Sequence, residues 1–325
     1  MNRNNRPLRL LATVLAALAL LAAAAALILA GRTLLREQRR KAERAEESAQ
    51  QRRREQRGEE DDEPDLTVRI EPDEPDPEPD TPDADPAVQA ALEQFLSAQG
   101  GTWDIYYESL SDGAFAAVQS NHGAEPRSVA ASVIKLFVMG AVYDAVRTGA
   151  LQHDAVYADL RSMITASDND ACNRLVRLLG GGDPAAGEAA VNRFAQSLGC
   201  ADVQMNRLML QNNGTENYVS ARDCAAILRL IYEGACVSKS ASAEMLELLK
   251  GQTVNDRLPA ALPQGVTVAH KTGNLSNLSC GDVGIVFTPD GDYILCLLSN
   301  YSQNDAQTTG AMATLSRTVY DIVTA

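Results

Sequence analysis

Residues 132–146 read SVIKLFVMGAVYDAV, an apolar run whose only charged members are Lys135 and Asp144. With no Pro and an almost unbroken series of apolar side chains, the run predicts a buried helix. Residues three apart on a helix share a face, so the Lys135 amine is expected beside the Ser132 hydroxyl. Two further strings hold the same kinds of side chain. Ser167-Asp168-Asn169 lies between two helical runs, and Lys271-Thr272-Gly273 closes the strand-like VTVAHKTG. An S-x-x-K string is expected about once by chance in a chain this long, and so says little alone. The other two are each expected in roughly one such chain in fifteen to twenty. All three in this order is a coincidence on the order of one in a thousand, which favours a shared function.

Each residue has a plainer reading by itself. Ser132 and Asp168 serve as helix N-caps, Lys135 and Lys271 as solvated surface residues, and Gly273 as a turn residue. Independent caps have no reason to arrive in this order, however. A lysine near a serine takes its proton once burial and a second cation lower the amine's pKa, and Lys271 is that second cation. The three histidines, His122, His153 and His270, suggest no Ser-His-Asp triad, and a serine–lysine pair needs none.

The set of S-x-x-K, S-D-N and K-T-G resembles that of the class A β-lactamases and their penicillin-binding relatives. The likeness extends over most of residues 87–325, including NYVSARDCAAILRLI (217–231), which looks like the helix after that family's Ω-loop. It implies a catalytic cleft between an all-helical half and a sheet half. Ser132 would be the acylated nucleophile, Lys135 its base, and Ser167 the relay of the proton to the leaving nitrogen. Asn169 would hold a substrate amide, Asp168 would orient its loop, and Lys271 and Thr272 would hold a substrate carboxylate. Gly273 would let its strand approach, and the N–H groups of Ser132 and Asn274 would form an oxyanion hole.

Three departures accompany the resemblance. The interval from Lys135 to Ser167 is short, so one wall of the cleft is expected to be missing. No Arg stands between Lys271 and Ile285, where the family often places one for the substrate carboxylate, and Cys280 falls about there. The family's Ω-loop string R-x-E-x-x-L-N corresponds to residues 207–213, RLMLQNN, with Met209 where the water-activating Glu would stand. Glu216 is the only acid between Val203 and Arg222. Deacylation is therefore expected to be slow.

Outward from the motifs, residues 88–98 have helical spacing, and TWDIYYESL and GAFAAVQS alternate as two strands about a turn at Ser111, Asp112 and Gly113. Residues 130–250 are helical in period, broken at Gly180 to Asp183 and at Gln211 to Asn217. VTVAHKTG, DVGIVFTP and DYILCLLSN predict three more strands before a helix from about Asn304. The expected fold is α+β: an antiparallel sheet flanked by helices plus an all-helical half. Six cysteines lie in this part, with no C-x-x-C pair and no nearby His. They are read as small buried core residues, and one or two disulfides stay open.

The first 86 residues differ in kind. Residues 1–9 form a basic N-terminus, expected in the cytoplasm. Residues 10–30 hold 21 uncharged, mostly apolar residues, enough for a transmembrane helix and longer than the usual core of a cleaved signal, so an anchor is preferred, while the Ala-rich end leaves a cleaved signal segment open. Residues 31–58 form a charged juxtamembrane stalk. Residues 59–86, with fourteen acidic residues, one Arg and repeated Pro, form a disordered linker. That linker supplies most of the formal net charge of −14, so the acidity says little about the site. Residues 87–325 are then an extracytoplasmic domain on a single-pass membrane anchor, expected to be monomeric, with no cofactor, metal or nucleic-acid partner. Three functions compete: a β-lactam hydrolase, a peptidoglycan DD-peptidase acting on D-Ala-D-Ala peptides, and a non-catalytic penicillin-binding or sensing module. The complete proton-transfer set argues against the last.

Overall fold

Along β1 (Thr102–Ser109), Trp103, Ile105 and Tyr107 join one apolar cluster and Tyr106 joins another, because the strand is covered on both faces. The structure, a computed structural model, describes residues 84–120, 127–212, 214–301 and 304–325. Across the predicted turn β1 pairs antiparallel with β2 (Phe115–Gln119). Its other edge pairs with β7 (Tyr293–Asn300), which continues antiparallel through β6 (Ser279–Phe287) to β5 (Thr267–Leu275). The order β2-β1-β7-β6-β5 joins the early hairpin to the late strands and leaves β5, the strand with Lys271, at an edge. Helices α1 (Pro86–Ala98) and α8 (Asp305–Val323) cover one face, through Val88, Leu92, Met312 and Val319. The fold is α+β, with an antiparallel sheet and helices, as the sequence predicts.

The other face meets the helical half: α2 (Lys135–Arg147), α3 (His153–Thr165), α4 (Asn169–Leu179), α5 (Pro184–Ser197), α6 (Ala221–Tyr232) and α7 (Lys239–Lys250). Caps set the boundaries. The Asp168 carboxylate accepts from Ala171 N at 3.0 Å to start α4, and Asp183 with Pro184 behind it starts α5 after the break at Gly180. Ser220 and Asn304 cap α6 and α8. Gly187 of α5 lies so close to the Val176 carbonyl of α4 that any side chain there would push the two helices apart.

One local expectation changes. The helix predicted from Ser132 begins as a 3₁₀ turn, Ala131–Ile134, with Ala131 at φ 44°, and becomes α-helical only at Lys135. No side chain caps this terminus. In a 3₁₀ turn residues i and i+3 eclipse, which sets Lys135 over Ser132 more directly than an α-helix does. Pro86, read from sequence as linker, is the first residue of α1, capped by Asp85. All six cysteines are free and buried. The expected cytoplasmic terminus (1–9), transmembrane segment (10–30) and stalk (31–58) lie outside the described residues, as do His122 and all but the end of the linker. Among the described residues no helix is long and apolar enough to cross a membrane.

Candidate active site

Three elements meet at Ser132. The 3₁₀ turn carries it, the turn between α3 and α4 with the first residue of α4 brings Ser167 and Asn169, and β5 brings Lys271. Lys135 Nζ, fully buried, lies 3.0 Å from Ser132 Oγ, 2.6 Å from the Ser167 carbonyl, 3.3 Å from Ser167 Oγ and 2.8 Å from Asn169 Oδ1. Lys271 Nζ, equally buried, donates to Ser167 Oγ at 2.9 Å and to the Thr272 carbonyl at 2.8 Å. Ser167 Oγ is thus the shared partner of both lysines. It holds that place with φ at 58°, a conformation costly for a residue with a Cβ and kept by the contacts around it.

Burial sets the electrostatics. It lowers the pKa of Lys135 to about 8, opposed by the charges of Cys172 and Asp168 if ionised. Burial and then the Lys135 charge lower Lys271 to about 7, opposed by Asp282. A hydroxyl 3.0 Å from an amine disposed to lose its proton is the geometry of an activated serine nucleophile.

The rest of the site follows from β5. At Gly273 a Cβ would stand 3.0 Å from the Ala130 carbonyl oxygen and 3.1 Å from Val133 N, so the missing side chain lets the strand close on the serine turn. Thr272 is buried, and Asn274 is exposed, its Nδ2 reaching Asp305 at 3.4 Å. Asp168 caps α4 as its plainer reading had it, which also fixes the start of Asn169's helix. The short interval before Ser167 contains only the rest of α2, the turn 148–152 and α3.

Two residues escaped the sequence reading. The first is Asn173, which holds Met209 by both backbone groups, Met209 N donating to Oδ1 at 2.7 Å and Nδ2 donating to Met209 O at 3.1 Å. It follows Asn169 by one helical turn, a spacing that could have revealed it. Glu216 is paired with Arg207 at the neck of the same loop. The second is Arg257, from the loop before β5, whose Nε donates to Cys280 Sγ at 3.3 Å. A guanidinium therefore reaches the place where the resemblance expects an arginine and the sequence has Cys280. That loop has no period and gives no signal in sequence.

The model of the beta-lactamase enzyme family matches residues 87–158 and 156–323, the whole region that holds these elements. The chain belongs to the beta-lactamase enzyme family. Extended-spectrum beta-lactamase PER-1 of Pseudomonas aeruginosa is 27% identical over 175 residues, 50% of this chain and 54% of that protein. Beta-lactamase FAR-1 of Nocardia farcinica is 31% identical over 169 residues, 50% of this chain and 51% of that protein. The chain thus spans about half the length of the curated relatives it matches. The solved structure of PBP-A is similar over 74% of this chain and 97% of its own, with a TM-score of 0.65 and 27% identity. A mutant of PBP-A, solved as an acyl-enzyme complex with penicillin G, has a TM-score of 0.64, also with 27% identity, covering 72% of this chain and 95% of that one.

Proposed function

We propose that this member of the beta-lactamase family is a membrane-tethered serine hydrolase, acylated at Ser132 by β-lactams and hydrolysing their amide bond with slow deacylation. The observation that carries the proposal is one amine, Lys135 Nζ, at 3.0 Å from the Ser132 hydroxyl, joined through Ser167 Oγ to a second. Ser132 Oγ attacks the amide carbon as Lys135 takes its proton. The oxyanion rests on the N–H groups of Ser132 and Asn274. The C–N bond then breaks as Ser167 passes that proton to the nitrogen. Asn169 holds a substrate amide, and Lys271, Thr272 and Arg257 hold the carboxylate. Water then opens the ester, yielding the ring-opened acid and free Ser132.

That last step needs a base, and Met209 is a thioether without one. The loop's Glu216 is occupied by Arg207. This favours, as a second reading, a DD-peptidase whose natural substrate is a D-Ala-D-Ala peptide and which β-lactams trap; likeness to PBP-A, a mutant of which was solved as an acyl-enzyme complex with penicillin G, supports the trapping alone. Hydrolysis of a diacyl-D-Ala-D-Ala peptide measured against nitrocefin separates the two. Faster turnover of the peptide selects the peptidase, faster turnover of nitrocefin the β-lactamase, and a site that acts on neither contradicts both. The site acts outside the cytoplasmic membrane in this proposal, where both substrates are met.

A further inference from the structure

Under the carboxylate end of the site lies a buried polar cluster that the reaction does not use. Asp282 on β6 is fully buried, and both its carboxylate oxygens face His270 Nδ1, at 2.8 and 3.0 Å. Its Oδ2 also accepts from Leu258 N at 3.0 Å. The other ring nitrogen of His270, itself buried, lies 3.0 Å from Asn255 Oδ1. His270 fits because its register partner is Gly284, where a Cβ would lie 2.6 Å from that of His270.

These contacts converge on one segment. Asn255 and Leu258 flank Arg257 in the loop before β5, and each is tied to the pair from one side. Ser316 Oγ of α8 holds the Leu258 carbonyl at 2.8 Å. Between these ties, Arg257 lies buried with Nε on Cys280 Sγ and one NH group on Asp256 at 3.2 Å. Register partners in an antiparallel pair share a face. Thr272 pairs with Asp282 and Asn274 with Cys280, so Arg257 sits on the face of β5 that bears Thr272 and Asn274.

We infer that His270 and Asp282 are positioning residues, a buried staple that fixes the 255–258 loop so that the Arg257 guanidinium stands where a substrate carboxylate binds. The buried Asp282 carboxylate has the His270 ring and the Leu258 N–H as partners, and losing either leaves a buried polar group short of one, which favours the loop in this place. Lys271 alternates to the other face of the same edge strand, and Arg257 is a lesser cause of its lowered pKa, after burial and Lys135, so the two cations flank the strand within each other's field. The inference rests on the proposed acylation of Ser132 and adds how this chain selects substrates with a free carboxylate.

The test compares acylation of the full chain by benzylpenicillin and by its methyl ester, which lacks the carboxylate charge, using intact mass over time. The readout is the ratio of the two rates, which general loosening of the fold would leave unchanged because it slows both compounds alike. Arg257→Gln defines the ratio when the anchor is gone. D282N is expected to lower the ratio about tenfold or more, the scale of one charge-assisted hydrogen bond lost at the anchor. Because D282N alters a buried charge, Asn255→Ala serves as a second variant. Its side chain is exposed, its loss leaves the core intact, and it is expected to lower the ratio several-fold. An unchanged ratio in Asn255→Ala and in folded D282N, with Arg257→Gln lowering it, overturns the staple alone. An unchanged ratio in Arg257→Gln overturns the anchor and the staple together. No adduct on the wild type from either compound overturns the reading of the site itself.

Discussion

The proposed reaction asks Lys135 and Lys271 to be in opposite states. Acylation needs Lys135 neutral, to accept the Ser132 proton, and Lys271 charged, to hold a carboxylate. Burial lowers both, to about 8 and about 7, so raising the pH frees the base and discharges the anchor. The rate of acylation by a carboxylate-bearing β-lactam is expected to be bell-shaped, with limbs between about pH 7 and 8 that belong to the coupled pair. Lys271→Arg keeps the charge at every such pH, so its profile should rise without the falling limb. A flat wild-type profile from about pH 6 to 9 would contradict this account. At this scale the sequence was most legible where side chains recur in short strings. Ser132 and Lys135 are three residues apart, and a helix of either kind brings them together. Arg257 was illegible because its place is set by Asp282 and His270, two residues distant in sequence and brought near only by the pairing of β5 with β6.

In the proposed reaction, the loop from Arg207 to Asn217 is the element on which turnover depends. Its neck is closed by the Asn217 side chain, which accepts from Asn206 N at 2.8 Å and Arg207 N at 3.1 Å and donates to the Arg207 carbonyl at 3.1 Å. Asn173 then holds Met209 from α4, so a carboxylate placed there would start from a fixed backbone. M209E should raise the steady-state rate on nitrocefin without raising the initial burst, because only the water step gains a base. General-base help is typically worth roughly 10² to 10⁴-fold, and a loop not shaped for Glu yields less. Stopped-flow traces separate burst from steady state. A wild type that turns over rapidly with no burst would contradict the role given to Met209. The order of strands and helices could be read because the strands are short β-branched and aromatic runs bounded by turn residues, although β1, β6 and β7 are buried on both faces, and because the helices keep 3.6-residue spacing. The 3₁₀ start of the serine turn could not, because no residue pattern near it marks the change and its neighbour Gly273 comes from a strand far later in the chain.

For the whole chain, the proposal adds an anchor and an acidic spacer to the folded part. In that proposal, protease added to intact cells or spheroplasts should cut within residues 59–86, the stretch rich in Pro and acidic residues. Protection of that linker would place the domain in the cytoplasm and make a cell-wall role untenable. The fourteen acids in the 28 residues 59–86 set that stretch apart in composition, and the anchor and spacer stay part of the proposal. Composition said nothing of the cleft, whose chemistry lies in a handful of side chains gathered from three elements. The central claim is that Ser132 becomes covalently acylated, and intact-mass spectrometry of the full chain with benzylpenicillin, followed by peptide mapping, tests it most directly. The account predicts a long-lived adduct of one penicillin per chain on the peptide that contains Ser132, and none in Ser132→Ala with its fold retained. No adduct on the wild type, or an undiminished adduct on Ser132→Ala, would contradict it.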